Sequence, residues 1–326
     1  HPGAPGWHAG PASSLPTQHA APTYASWQPG FMPLRPLGFG DLLSLPFRAM
    51  RFNRAVIIGG PLLLTLGATL LTSAAMWLLF TDPSLALLDP YSEFNAISPS
   101  TVAVIVVAIV AALLADVLSS AIVAPGVARG ALGERITLGQ AWATMRTRIG
   151  ALLLLYVIAT GTLLAVLTVG AIPLIAGAFA ESPGLIVLGV VLVVLLSIPA
   201  GILVTMVGGL ARPIVVLERR GAIAAIRRAI GLLRGRFWWS LLIIFVATAL
   251  IGLVSSVVQQ VGGFGAVAVS LVAPDNLVLL GIAFFVVTAL SLVVSYVLTY
   301  SYLGSLFALL LVDLRIDDMR RHDRIE

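Results

Sequence analysis

From Gly201 to Val254 the chain reads GILVTMVGGLARPIVVLERRGAIAAIRRAIGLLRGRFWWSLLIIFVATALIGLV. Two apolar runs enclose a middle that holds seven arginines: Arg212, Arg219, Arg220, Arg227, Arg228, Arg234 and Arg236. Each run continues outward into a predominantly apolar segment of about 20 residues or more, the length a helix needs to cross a bilayer. In the middle, Ile223, Ile226, Ile230 and Leu233 recur at helical spacing, with Arg227, Arg228 and Arg234 largely off that face. That pattern suits a helix lying in the membrane interface, arginines towards the headgroups. Span, interfacial helix and span follow one another, and the rest of the chain repeats the arrangement.

Six segments pass the length test, at about 55–80, 101–123, 149–179, 185–210, 237–261 and 277–312. The third and sixth exceed a simple span, so tilting, kinking or projection is expected. Pro173 and Pro199 are candidate kinks. Composition agrees: 59% of the 326 residues are apolar, 10% are charged, and the mean hydropathy is +1.06. So little charge cannot coat a water-soluble surface of this size. The fold class expected is an all-α, polytopic membrane bundle of six transmembrane helices with interfacial helices at one side.

All 19 basic residues are arginine, and the lack of lysine suggests G+C-rich coding and a bacterial source. Every arginine falls before segment one, between two and three, between four and five, or after six. The opposite loops carry only Asp82, Asp89, Glu93, Glu181 and Asp275. The positive-inside rule then places both termini in the cytoplasm and the chain in the plasma membrane. The arginines border apolar segments, so anionic lipid headgroups, not nucleic acid, are the expected partners.

Residues 1–34 are rich in Pro, Ala, Gly, Ser and His and read as a disordered cytoplasmic tail without a signal-peptide core. Trp7, Tyr24 and Trp27 are its candidate contacts. Residues 35–312 form the expected membrane domain, and 313–326 a charged cytoplasmic tail. Asp41 to Arg51 and Thr137 to Arg148 resemble the helix at 222–234, the second with Leu138, Trp142 and Met145 on one side. Each precedes an arginine pair and two spans: Arg51 and Arg54, Arg146 and Arg148, Arg234 and Arg236. The pairs recur at a period of roughly 90 residues, which allows a threefold internal repeat of parallel units. Interfacial segments also look alike without any repeat.

The block PIVVLERRGAIAAIRRAIGLLRGRFWW from Pro213 to Trp239, together with PLRPLGFGDLL at Pro33–Leu43 and VDLRI at Val312–Ile316, resembles one bacterial family. These are membrane proteins named after the membrane domain of glycerophosphoryl diester phosphodiesterase, and the likeness covers about residues 33–316. In the enzymes behind that name, the resemblance implies, chemistry resides in a separate soluble barrel with metal-binding acids and catalytic histidines. That barrel has no counterpart here. The histidines are His1, His8, His19 and His322, all in the tails, so no catalytic residue carries over.

Other chemistry is sparse. There is no cysteine, hence no disulfide or thiolate site. No P-loop, HExxH helix, Cys/His metal spacing or Ser-His-Asp set occurs, so no cofactor or metal is expected and the chain reads as non-enzymatic. Asp116 is the one acid deep in a predicted span. Charge there is expensive unless it is paired, protonated or hydrated. It reads either as a proton or cation relay lining a polar cavity, or as a carboxyl bonded to Ser119, Ser120 or a neighbouring helix. Ser291, Ser295, Thr299 and Tyr302 in segment six, and Ser255 and Gln259 in segment five, read as helix glue or as a pathway lining. Ala200, Gly201, Gly208, Gly209 and Ala211 are expected to permit close packing of segment four. Arg227, Arg228, Arg234 and Arg236 are the candidate anionic-lipid contacts. The leading reading is a lipid- or protein-binding membrane component. The alternative is a small-solute permease that uses Asp116.

Overall fold

A computed structural model describes residues 30–32, 37–81, 98–272 and 277–322. The acidic loop residues Asp82, Asp89, Glu93 and Asp275, and most of the tail read at 1–34, lie outside the described residues. Every regular element among the described residues is an α-helix: α1 (Phe39–Phe52), α2 (Arg54–Ile57), α3 (Gly59–Thr81), α4 (Pro99–Ala131), α5 (Leu138–Arg146), α6 (Ile149–Phe179), α7 (Pro183–Leu217), α8 (Ala222–Arg234), α9 (Phe237–Val272) and α10 (Leu277–His322).

Local chemistry starts these helices. Ser98 caps α4, accepting from the Thr101 N–H at 3.4 Å, with Pro99 as the first helical residue. Thr137 and Gln140 form a reciprocal capping box on α5: the Gln140 N–H donates to Thr137 Oγ1 at 3.3 Å and the Thr137 N–H to Gln140 Oε1 at 3.0 Å. Pro125, Pro173, Pro199 and Pro213 lie inside α4, α6 and α7 without ending them, as neighbouring helices in a membrane permit.

Six helical stretches among the described residues are long and apolar enough to cross a membrane, so this is a multi-pass helical membrane bundle. Four of the long helices extend past the expected limits. α4 reaches Ala131, α7 reaches Leu217 and α9 reaches Val272. α10 runs to His322, so residues 313–322, expected as tail, are helical.

Three times the chain order is a short helical segment followed by two long helices. Each long pair packs most extensively within itself: α3 on α4, α6 on α7, α9 on α10. The return helices α4, α7 and α10 also touch one another, with α10 against α1, α3, α4 and α7. Because successive long helices alternate in direction, the arginine-bearing segments gather at one end of the bundle. The main core gathers there too. It comprises Val117–Val127 of α4, Met206–Val216 of α7, the first turns of α9 and Tyr302–Leu314 of α10.

The short helices also pack into that core. α1 buries Leu42, Leu45 and Ala49, and the Tyr302 hydroxyl donates to the Leu43 carbonyl at 3.1 Å. α5 buries Ala141 and Met145 and leaves Trp142 exposed. α8 turns Ala222, Ala225, Ala229, Leu232 and Leu233 inward, so its expected apolar face is only partly the buried one. Ile223 and Ile230 point outward, 55% and 38% exposed. Alanine wins the inner position because its small side chain lets the helix approach α7 and α6 closely. Residues 30–32, at the end of the expected tail, also pack: Phe31 lies 5.9 Å from Phe52, centroid to centroid.

Glycine placement differs from expectation. Gly209 faces the Phe307 ring and Ala211 is buried, but Gly201 and Gly208 face open space. The close α6–α7 approach instead uses Gly170 against Val193, Gly177 against Leu185 and Ile186, and Gly189 against Leu174.

Candidate functional site: a charge cluster on the return helices and a basic helix

Asp116 lies on α4, about 20 Å along the helix from Arg129 at about 1.5 Å per residue. Its partners come from the two other return helices. Tyr300 on α10 donates its hydroxyl to Asp116 Oδ1 at 2.7 Å. Arg212 on α7 sets Nη2 3.6 Å from Asp116 Oδ2, and its Nη1 donates to Ser120 Oγ at 2.8 Å. One carboxylate therefore joins α4, α7 and α10. Its negative charge faces a guanidinium, which removes most of the penalty for an isolated charge in an apolar region.

Of the expected polar set, Asp116 and Ser120 share the cluster. Ser119 does not: its hydroxyl is buried and has no hydrogen-bond partner among the described residues. The side chains of Asp116 and Arg212 keep 34% and 28% exposure, so the pair is only partly buried. Hydropathy that ends the fourth span at residue 210 places Arg212 in the basic loop after it, whereas the structure keeps Arg212 inside α7. Its surroundings, Leu210-Ala211 before and Pro213-Ile-Val-Val-Leu217 after, were the available signal. An arginine flanked on both sides by apolar residues belongs to a helix, not a loop. Nothing local marks Tyr300 as its neighbour.

The polar stripe on α9 and α10 resolves differently. Ser295 Oγ donates to the Ser255 carbonyl at 3.4 Å, Ser255 and Thr299 hydroxyls lie 3.4 Å apart, and Thr299 bonds back to the Ser295 carbonyl at 2.8 Å. Ser291 bonds its own helix at the Val287 carbonyl. These contacts tie α9 to α10, the glue arrangement. Tyr302 serves α1 instead, and Gln259 is exposed.

The four arginines expected at lipid headgroups divide into two pairs. Arg228 forms an ion pair with Asp318 at 3.1 Å, and Arg236 with Asp313 at 3.3 Å and Asp317 at 3.5 Å. These hold α8 and the start of α9 to the end of α10. Arg227 and Arg234 are exposed, with no acidic partner among the described residues. They share the outer face of α8 with Ile223 and Ile230, and exposed Trp238 follows at the start of α9. A second ionic knot joins α7 to α10: Glu218 Oε1 accepts from Arg315 at 2.6 and 3.1 Å, and Glu218 Oε2 lies 2.8 Å from Arg220. No sequence pattern singles out Glu218, and Arg315 and the α10 aspartates lie beyond residue 312, in the stretch whose composition reads as tail. Among the described residues no three His, Cys, Asp or Glu side chains converge as a metal site would.

No family model, curated protein or solved structure matches the chain.

Proposed function

We propose that this chain is a non-enzymatic component of the plasma membrane that binds anionic lipid through its basic interfacial helices, with both termini in the cytoplasm. One observation carries the reading. On α8, Arg227 and Arg234 lack acidic partners among the described residues and lie beside outward-facing Ile223 and Ile230. A face of isoleucine and free arginine suits the boundary between acyl chains and phosphates. Trp238 beside it fits the aromatic belt found at that depth. The block whose residues resemble the phosphodiesterase membrane-domain family builds this same region, the end of α7, α8 and the start of α9. We extend the proposal to membership of that family without its enzyme activity.

The test is the lipid that accompanies the protein when it is cut from the membrane in polymer discs. Anionic phospholipid should be enriched over the bulk membrane. Replacing Arg227 and Arg234 together with Gln should reduce the enrichment about thirtyfold, since each basic residue near an anionic surface contributes about 1 kcal/mol. Disc lipids identical to the bulk would dismiss the reading. Orientation has its own assay, because the chain lacks native cysteine. Single cysteines placed at Arg146 and Glu181 should label from opposite sides.

A second reading, a small-solute permease, is favoured by the partial exposure of the Asp116–Arg212 pair. It expects solute flux in proteoliposomes that Asp116→Asn abolishes. Unchanged flux in that variant removes Asp116 from any transport mechanism.

A further inference from the structure

The turn from α7 into α8 carries a basin of about 610 Å³, lined by Arg220, Ile223, Ala224, Arg227 and Arg228. Three arginines and Ile223 thus border one open space. The charges nearby do not cancel. Arg220 and Arg315 share the single carboxylate of Glu218, Arg228 pairs with Asp318, and Arg227 has no acid among the described residues. The three lining guanidiniums face two carboxylates, one of them shared with Arg315 outside the basin, so the basin is net positive.

The backbone adds to them. Gly221 stands at the N-cap of α8 and offers no side chain to the first turn. The first helical bond is made by the Ala225 N–H to the Gly221 carbonyl, so the amides of Ala222, Ile223 and Ala224 have no intrahelical acceptor. Ile223 and Ala224 are themselves basin residues. Free amides at a helix start favour an anion, and here they reinforce a cavity already lined with arginine.

We infer that this basin binds a phosphate monoester dianion, through Arg220, Arg227 and Arg228, at the membrane surface. The inference rests on the proposed lipid-binding role and specifies its headgroup. A diester phosphate in a lipid carries one charge. A monoester carries between about one and a half and two, with three oxygens free to accept hydrogen bonds. A net positive basin bordered by three arginines matches the greater charge and the third free oxygen of the monoester better. The outward Ile223 places acyl chains beside the basin, so the headgroup of phosphatidate fits. A soluble phosphate has the same chemistry.

The experiment uses the full chain in nanodiscs, with lipid retention read by native mass spectrometry at moderate salt. The discs contain phosphatidylcholine with equal parts of phosphatidate and phosphatidylglycerol. Phosphatidate should be retained over phosphatidylglycerol by about tenfold, the difference expected of one additional charge-assisted contact. Arg227→Gln should bring the ratio close to one, and it breaks no ion pair, so folding is preserved. Arg146→Gln removes the same charge from α5 and should leave the ratio intact. Inorganic phosphate at millimolar concentration distinguishes the sources. Displacement of phosphatidate identifies a site for the phosphate group itself, and resistance identifies the lipid as the ligand. Equal retention of the two lipids, or equal effects of the two substitutions, overturns the monoester assignment and leaves general anionic-lipid binding standing. Retention of neither lipid overturns both.

Discussion

The two ends of the bundle are built on different principles. At the arginine end, six long helices and the short helices α1, α5 and α8 share one core, in which Tyr302, Leu45, Met145 and Ile214 are buried. At the opposite end each hairpin packs chiefly on itself, through small residues such as Gly170, Gly177, Gly189 and Ala108. Large side chains there point away from the protein: Phe179, Val187, Leu195, Val261 and Phe264 are all exposed. The short helices account for the contrast. They add apolar volume between the hairpins at one end only, and at the other end lipid can fill the space at no hydrophobic penalty. The Asp116–Arg212–Tyr300 cluster joins the three return helices, so it bears directly on how far the shared core extends.

Four experiments probe this contrast, ordered by the falling effect of the main substitution in each. Tyr302→Ala should destabilise the protein by about 3–5 kcal/mol, the usual cost of emptying a buried aromatic site, and it also loses the bond to the Leu43 carbonyl. Phe264→Ala at the other end, 72% exposed, should change stability by less than about 0.5 kcal/mol. Unfolding free energies in micelles measure both, and comparable losses would erase the distinction between the ends.

Asp116→Asn should come next. It leaves the Arg212 guanidinium without its counter-charge, at about 1–3 kcal/mol once the partial exposure of the pair is allowed for. Adding Arg212→Gln should recover part of that loss. A double-mutant cycle with no coupling would show that the three return helices are held by packing alone.

Gly189→Leu should cost about 1–3 kcal/mol by overpacking, since a side chain there meets the Leu174 backbone. The damage should stay within the α6–α7 hairpin. Cross-linking between α1 and α10 should therefore proceed as before, and its loss would mean that the hairpins are more strongly coupled than their contacts suggest.

Apart from the Phe264→Ala control, the smallest effect is expected of Asp318→Asn. Its pair with Arg228 has about a third of each side chain exposed, so the change should be about 0–1 kcal/mol and should shrink in high salt. Salt-dependent thermal denaturation compares the variant with the unaltered protein, and a salt-independent loss would reassign the pair to packing.

Much of the architecture was legible because it follows from solvent. Long apolar runs must become helices in hydrocarbon, where every backbone amide needs a partner within its own segment. The three short helices were legible from periodicity. Their orientation was not, because α8 is apolar over a wider arc than one stripe, and alanine and isoleucine compete for the inner side. The site was legible in part. Asp116 stood out by its position, yet its partners Arg212 and Tyr300 lie 96 and 184 residues away in sequence. The roles of Arg228 and Arg236 were hidden for a related reason, since the aspartates that hold them were read as tail.

The amino-acid sequence alone determined the helical class, the six long apolar segments and the sorting of arginine to one end. Hydropathy and charge act locally along the chain, and each segment partitions between lipid and water largely by its own composition. Only the tertiary structure decided which arginines are neutralised, which face of α8 remains outward and what Asp116 touches. Those outcomes depend on side chains from separate hairpins meeting at a few ångströms, and no local pattern encodes that distance.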